Sequence, residues 1–200
     1  MRLRHSASSP YVRKVMVVAH ETGLEPRIER VPTFVWSPDT DIADDNPIGK
    51  VPTLILDDGT ALFDSPVICE YLDSLHAGER LFPAAGPARW RALRLQALGD
   101  GILDAAVLRR IESRRPASEQ SPGWIARQAA AMKRGLDALE REVAGWNGAV
   151  TIGQIAAGCA CGYLDFRFAA DDWCATRPHL AAWYAAFAER PSMRHTVPRE

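Results

Sequence analysis

Two Ser-Pro pairs, each at the predicted start of a helix, mark the residues best placed to do chemistry. Ser9 precedes Pro10, and Asp64 and Ser65 precede Pro66. Serine caps helices and proline is favoured in their first turn. The free N–H groups and positive dipole end of a helix N-terminus favour an anion, and the Asp64 carboxylate can hold a cation. A ligand with adjacent carboxylate and amine groups, like an amino acid, would suit this start, although most such starts are only caps.

A predicted β-hairpin leads into the second of these helix starts. Residues 53–56 form a short apolar run, and Pro52 directly before it opens the strand, a position where a sheet tolerates proline. Residues 57–59, Asp-Asp-Gly, have the composition of a tight turn, and residues 60–63 predict the returning strand. The second helix start therefore follows directly on a strand.

Length, charge and hydropathy exclude several classes of protein. The 200 residues allow one large domain or two small ones, and 47% of them are hydrophobic. A net charge of −1 creates no field that draws the chain to nucleic acid or to a membrane, so we expect neither partner. The longest apolar run, residues 155–164, is too short to span a bilayer. Arg2 and Arg4 are not followed by the apolar segment of a secretory signal, so we expect a cytoplasmic protein.

The cysteine and histidine spacing predicts neither a disulfide nor a metal site. Cys159 and Cys161 are two residues apart, so on a helix they point to different faces and cannot share a bridge or a metal. With Cys69 and Cys174 they are expected to be small buried hydrophobes in a reducing compartment. The five histidines show no H-x-H or H-x-x-x-H spacing, so we expect no metal.

The first 77 residues predict a small α/β domain. Strands are expected at residues 3–5 and 26–31, with a helix over Pro10–Glu21 between them that places Arg13, Lys14 and His20 toward solvent. Two strands joined by a helix should be parallel, and the hairpin makes the sheet mixed. After the irregular, acidic residues 32–45 come the hairpin and a helix over residues 65–75, which completes a thioredoxin-like unit.

A linker at residues 78–87, rich in glycine and proline, precedes a segment, 88–200, that is helical throughout. Helices are predicted over residues 88–110, from Pro122, from Thr151 and over residues 178–190, with an irregular tail after Pro191. The third of these begins with Thr151 and Gln154 in the pattern of a capping box. It is apolar on every side, so we expect it at the centre of a helical bundle.

Three segments resemble bacterial glutathione S-transferase-like proteins, and the resemblance extends over the whole chain. They are residues 8–15 (Ser-Ser-Pro-Tyr-Val-Arg-Lys-Val), residues 46–52 (Asn-Pro-Ile-Gly-Lys-Val-Pro) and the pair Asp64 and Ser65. The resemblance implies a thioredoxin-like N-terminal domain that binds glutathione and a helical C-terminal domain that lines a pocket for a small apolar substrate. It also implies a homodimer. Tyr11, Trp36, Trp90 and Trp173 are candidate walls of that pocket, although each is more simply interpreted as core.

The resemblance also implies roles for single residues. Pro52 is expected to be cis and to hold the Val51 backbone against the cysteinyl part of glutathione, with Lys50 in the same binding segment. Asp64 would lie near the γ-glutamyl ammonium, and Ser65 would bind the γ-glutamyl carboxylate. Many family members have Glu at the position of Asp64, so the reach of the carboxylate is shorter here.

The chemistry implied is activation of a thiol, and Ser9 is the favoured hydrogen-bond donor, with Ser8 and Tyr11 as alternatives. A free thiol has a pKa near ~8.5. A hydrogen bond to the thiolate, worth roughly 1.5–3 kcal/mol, lowers it to about 6.5–7.5. Ser9 can also cap its helix, because its oxygen accepts a hydrogen bond as a cap whereas its hydroxyl hydrogen donates to the thiolate.

Two functions remain open from the sequence. The first is a glutathione transferase that attacks an electrophilic carbon, and the second is a non-catalytic glutathione-binding or protein-interaction module of the same fold. A serine rather than a cysteine at position 9 argues against thiol–disulfide exchange, because no mixed disulfide can form there.

Overall fold

The chain folds into two units, the first made of Met1–Ala84 with Pro191–Glu200 and the second of Ala85–Arg190. The computed structural model describes all residues from 1 to 200. The first unit contains a small mixed sheet with helices, and the second is helical throughout, so the thioredoxin-like domain and the helical domain predicted from the sequence are both confirmed.

The sheet of the first unit has four strands in the order β2-β1-β3-β4. Strands β1 (Arg2–His5) and β2 (Glu29–Pro32) are parallel, whereas β3 (Thr53–Ile55) is antiparallel both to β1 and to β4 (Ala61–Leu62). Strand β2 is shorter than predicted, because the preceding residues Glu25–Arg27 form a 3-10 turn.

Within residues 1–84, three helices accompany this sheet. Helix α1 (Pro10–Glu21) joins β1 to β2 and packs against α3 (Ser65–Ser74), while α2 (Ile42–Asp45) is a single turn. The predicted apolar face of α1 is buried. The expectation that Arg13 and Lys14 face solvent is wrong, since their side chains are only 6% and 0% exposed.

Residues 191–200 return to the first unit and explain the burial of Arg13. They begin with a short helix, α8 (Pro191–His195), where an irregular tail was expected. The Arg13 Nη2 atom donates to the carbonyl of the fully buried Met193 at 3.2 Å, and the rings of His20 and His195 lie 5.4 Å apart. Residues 191–200 therefore belong to the first unit and not, as expected, to a helical domain over 88–200, because they pack on α1.

The segment after α3 is held by one buried carboxylate. Asp73 accepts hydrogen bonds from the backbone N–H groups of Leu81 and Phe82 at 2.8 and 3.2 Å, and it lies 3.0 Å from the His76 ring. Residues that the sequence assigned to a linker are thus attached to α3 of the first unit.

The second unit is built around α6 (Ile152–Phe168), which is buried on every side from Ile152 to Leu164, as predicted for the central helix. Around it lie α4 (Gly86–Ser113), α5 (Pro122–Glu142) and α7 (Pro178–Ala188). Gln154 accepts from both the N–H and the hydroxyl of Thr151, so the predicted cap is present. Short 3-10 turns occupy Ala117–Glu119, Val143–Gly145, Ala169–Asp171 and Trp173–Thr176.

Hydrogen bonds and an ion pair attach α7 to α5. The buried Arg177 guanidinium bonds the Asp137 carboxylate at 2.6 Å and the Trp173 carbonyl at 3.0 Å. Glu140 accepts from the N–H groups of His179 and Leu180, and so satisfies donors that the first turn of α7 leaves free. None of the helices is both long and apolar enough to cross a membrane.

Candidate functional site

The register of the sheet brings four chain segments to one edge. His5 at the end of β1 pairs with Pro32 at the end of β2, and Arg4 beside it pairs with Thr53, the first residue of β3. Strand β4, antiparallel to β3, ends at the same edge. The segments that leave or enter the sheet here contain the residues singled out in the sequence: Ser9, Lys50, Val51, Pro52, Asp64 and Ser65.

Ser9 is the N-cap of α1. Its Oγ atom accepts from the Val12 N–H at 3.3 Å, and its carbonyl accepts from the Arg13 N–H at 3.0 Å. The cap uses an acceptor lone pair, so the hydroxyl hydrogen remains able to donate. Ser9 is half-buried, as are Ser8 and Tyr11 in the same segment.

The Val51–Pro52 peptide bond is cis, as expected. Pro52 is buried, Val51 is half-buried and Lys50 is exposed. Neither the N–H nor the C=O of Val51 makes a hydrogen bond within the chain. An accessible residue with a free donor and a free acceptor can pair with the backbone of a peptide ligand.

Asn46 organises this segment, although the resemblance over residues 46–52 implies no role for it. Its amide nitrogen donates to the Lys50 carbonyl and to the Thr53 hydroxyl, each at 3.0 Å, and its Oδ1 accepts from the Ile48 N–H at 3.0 Å. The last of these bonds is an ordinary Asx turn, so the Asn-Pro pair was the available signal. The other two bonds depend on the folded position of β3.

Helix α3 begins at Ser65, and its N-cap is Asp64 rather than Ser65, so the start lies one position earlier than the Ser65–Pro66 pair suggested. The Asp64 carboxylate is exposed and makes no capping bond, and the Phe63–Asp64 peptide bond is cis. Ser65 is buried in the first turn, whose N–H groups have no helical acceptor. An exposed carboxylate therefore stands beside a group of donors, the arrangement that suits an ammonium next to a carboxylate.

Ionisable side chains on β1 lie at this edge of the sheet. Arg4 on β1 pairs with Asp41 at 2.9 Å and with Asp45 at 2.6 Å, and so attaches α2 to the sheet. The hydrogen bond with Asp41 raises the pKa of Arg4 and lowers that of Asp41. Burial, together with the charge of Arg30, lowers the pKa of His5, so this ring at the end of β1 is neutral at pH 7.

Two large apolar side chains on the segment after β2 are exposed. Phe34 is 70% and Trp36 is 66% accessible. Trp90 on α4 is also exposed, so the interpretation of Trp36 and Trp90 as core residues is wrong, whereas Trp173 is buried. Phe34 and Trp36 follow the strand end of β2, so the site edge carries apolar surface as well as hydrogen-bonding groups.

The cysteines and the other potential metal ligands are dispersed. None of the four cysteines forms a disulfide; Cys69, Cys159 and Cys161 are buried as expected, whereas Cys174 is half-buried. Burial raises the pKa of the Cys161 thiol well above its usual range, which keeps it protonated. No group of three or more His, Cys, Asp or Glu side chains is placed to hold a metal ion.

Comparisons with known proteins agree with this arrangement. Models of the glutathione S-transferase N-terminal and C-terminal domains match residues 8–75 and 122–186. An uncharacterized GST-like protein of Escherichia coli K12, YibF, is 35% identical over 99% of this chain and 98% of its own length. The chain belongs to the glutathione S-transferase family.

Solved structures of other glutathione S-transferase family members have the same fold. One from Pseudomonas fluorescens Pf-5 with bound glutathione has a TM-score of 0.94 and 44% identity, and the match covers 100% of this chain and 99% of that chain. A second structure from the same strain, with a TM-score of 0.92, 44% identity and full coverage of both chains, contains S-(propanoic acid)-glutathione.

Proposed function

We propose that this glutathione S-transferase family member binds glutathione at the sheet edge and activates the glutathione thiol for attack on a small electrophile. The observation that carries the proposal is the gathering of Ser9, Val51, Asp64 and Ser65 at the one edge where strand ends and two helix starts come together. The relative that binds glutathione at 44% identity supports the choice of ligand.

Each part of glutathione has a complementary group in the proposed site. The Asp64 carboxylate pairs with the γ-glutamyl ammonium, and the hydroxyl and N–H of Ser65 bind the adjacent carboxylate. The free N–H and C=O of Val51, next to cis Pro52, pair with the cysteinyl backbone. Lys50 supplies an exposed cation to a tripeptide that carries two carboxylates.

Thiol activation is assigned to Ser9. Its hydroxyl donates to the glutathione sulfur and stabilises the thiolate, while the thiol proton leaves to solvent. The thiolate then attacks an electrophilic carbon and forms a C–S bond. From a haloalkane or haloarene the halide departs with its electron pair, and with an unsaturated acid the neighbouring carbon takes up a proton from solvent. The positive end of α1 contributes in the same direction, because Ser9 is the cap of that helix.

The product class proposed is a thioether of glutathione. A relative holds such a thioether, S-(propanoic acid)-glutathione, and a thioether is what attack of the thiolate on carbon produces. The exposed Phe34 and Trp36 favour a small apolar second substrate at this edge. A screen should therefore include small haloalkanes and activated haloarenes, and the thioether in the relative adds short unsaturated acids to it.

Calorimetric titration of glutathione tests the binding site. Asp64→Ala is expected to weaken binding at least tenfold, since it leaves the γ-glutamyl ammonium without a partner. Asp44→Ala removes a like charge from an exposed position of α2 and is expected to bind as the wild type does. No binding by the wild type would overturn the proposal, and equal binding by Asp64→Ala would overturn the assignment of Asp64.

We also propose a homodimer formed through one face of α4 and α5. A groove of about 280 Å³ lies between these helices and has small residues along it, which are Ala97, Gly101, Ala131 and Gly135. The exposed Trp90 on α4 adds apolar area outside the groove. Gly101→Arg is expected to give a monomer in sedimentation velocity, while the wild type sediments as a dimer. A monomeric wild type would contradict the dimer.

A cytoplasmic location is proposed on the state of the cysteines. None of the four forms a disulfide, as is usual where thiols are kept reduced. Fractionation of cells that express the protein should recover it in the cytoplasmic fraction, and recovery from an exported fraction would contradict this.

A further inference from the structure

We propose that Asn46 and Thr53 act as positioning residues that aim the Val51 N–H at glutathione by clamping the carbonyl of the same peptide unit. This rests on the proposed function, because it explains how the chain prepares the backbone that the tripeptide would pair with. Neither residue touches the reacting sulfur in this proposal.

The clamp is buried and complete. Asn46 is 2% and Thr53 is 0% exposed. The Lys50 carbonyl accepts one hydrogen bond from the Asn46 amide and a second from the Thr53 hydroxyl, each at 3.0 Å. The Asn46 amide also donates to the Thr53 hydroxyl, so the three groups form a closed triangle. A carbonyl that accepts two buried donors is fixed in direction.

Peptide planarity transmits this constraint to Val51. The Lys50 C=O and the Val51 N–H belong to one rigid planar unit, and the Lys50–Val51 bond is trans. In a trans unit the two groups point in opposite directions. Because the Lys50 carbonyl is directed into the protein toward Asn46 and Thr53, the Val51 N–H is directed away from them. The structure accordingly gives the Val51 N–H no partner within the chain.

No regular secondary structure holds this segment otherwise. It lies between the end of α2 at Asp45 and the start of β3 at Thr53, and Val51 itself makes no backbone bond. Asn46 also accepts from the Ile48 N–H, so the clamp fixes the chain on both sides of the turn at Gly49. Loss of the clamp would leave the Val51 peptide free to rotate, and binding would then have to order it.

Four variants separate the clamp from general packing. Asn46→Asp keeps an acceptor for the Ile48 N–H but loses both donated bonds, and Thr53→Val removes the hydroxyl from a side chain of similar shape. Both are expected to raise the dissociation constant for glutathione at least tenfold in calorimetry, while kcat at saturating glutathione changes less than threefold. Thr53→Ser keeps the hydroxyl and should bind within twofold of the wild type.

The fourth variant, Asp73→Asn, controls for stability. Asp73 is also buried and bonds two backbone N–H groups of the first unit, but it lies on α3, away from the clamp. It should lower the melting temperature without weakening glutathione binding. Should Asn46→Asp fail to fold, the Thr53→Val and Thr53→Ser pair decides the question.

Three outcomes are distinguishable. Wild type that does not bind glutathione overturns the proposed function, and this inference with it. Wild type that binds, together with Asn46→Asp and Thr53→Val that bind equally well, overturns the clamp alone. If Asp73→Asn weakens glutathione binding as much as Thr53→Val does, the clamp is also overturned, because loss of stability would then explain the weaker binding.

Discussion

At the scale of single residues, Ser9 has one oxygen that accepts a hydrogen bond from its helix and one hydrogen that remains free to donate. Under the proposed mechanism, Ser9→Ala raises the pKa of bound glutathione by about one to two units, because a bond worth roughly 1.5–3 kcal/mol to the thiolate is lost. Turnover at pH 7 is expected to fall by about 8- to 25-fold with the thiolate fraction, while glutathione affinity falls by no more than about fourfold. Thiolate absorbance as a function of pH, together with steady-state rates, measures both effects.

Ser121 provides a matched control for the helix cap. Its Oγ accepts from the Trp124 N–H at 3.3 Å, the same geometry and distance as at Ser9, but in the second unit. Ser121→Ala should cost about 1 kcal/mol of stability and leave the thiolate pKa unchanged. An unchanged thiolate pKa in Ser9→Ala would transfer the role to Ser8 or Tyr11. Wild type that consumes no glutathione with any electrophile would instead indicate a binding module.

The local features of the candidate site were easier to predict than the contacts that support them. Ser9, Pro52 and the Asp64–Ser65 start were all visible, because helix caps and prolines act locally. The roles of Asn46 and Arg13 depend on partners that arrive from other elements, namely β3 and α8. A single sequence contains no local signal for such partners.

At the scale of elements, the packing of α4 on α6 depends on glycine. A Cβ atom at Gly99 would lie 2.8 Å from the backbone carbon of Ala156, and one at Gly153 would lie 2.7 Å from Leu95 Cβ. Real Cβ atoms do not approach backbone so closely, and a buried helix backbone cannot easily move aside. The glycines thus allow the two helices to approach at their crossing.

Gly99→Ala is therefore expected to destabilise the second unit. Overpacking lowers the free energy of unfolding by about 3 kcal/mol at the upper end of its range. Alanine has a better helix propensity than glycine, which offsets about 1 kcal/mol. Urea unfolding should therefore show a free energy of unfolding about 2 kcal/mol below that of the wild type. Gly123→Ala is the control, because a Cβ atom there meets nothing within 4 Å. Equal stability of Gly99→Ala and wild type would show that the helices can separate without cost.

Element boundaries followed the sequence where a cap or a proline marks them. Helix α1 begins at Pro10 and ends at Glu21 as predicted, since Ser9 and Pro10 start it and Gly23 follows it. Helix α8 was missed because five residues are too short for a periodic pattern to be recognised, and its burial arises from packing on α1.

At the scale of the whole molecule, acid should reduce stability in two pH ranges. Burial lowers the folded-state pKa of His20 below its ordinary value of 6.5, and burial and Arg30 do the same for His5. The unfolded chain therefore binds more protons just below pH 6.5, and the free energy of unfolding falls as the pH drops through this range.

The second range belongs to carboxylates of the bundle. Burial acts to raise the pKa of Asp137, but hydrogen bonds from Lys133 and Arg177 outweigh it and hold the pKa below 3.8. Glu140 is held below 4.5 in the same way by Leu180 and His179. Their stabilising contributions are complete above the unfolded values and are lost as the pH falls below about 4.

Urea unfolding between pH 3 and 8 measures both ranges. The double variant His5→Gln and His20→Gln should flatten the slope of unfolding free energy against pH between about 5 and 6.5, and should leave the slope below pH 4 intact. A wild-type stability that is constant from pH 5 to 7 would contradict the burial of these imidazoles in their neutral form.

The return of residues 191–200 to the first unit has a consequence for synthesis in the cell. A ribosome completes the sheet, α1 and α3 early, and then makes the whole of the second unit before α8 appears. Until then the Arg13 guanidinium has no Met193 carbonyl to bond, and Ala7, in the loop that leads to Ser9, lacks the Arg199 N–H that reaches its carbonyl at 3.2 Å. The first unit to be translated is thus the last to finish packing, and the loop that precedes Ser9 gains its last backbone hydrogen bond only once residues 191–200 have been made.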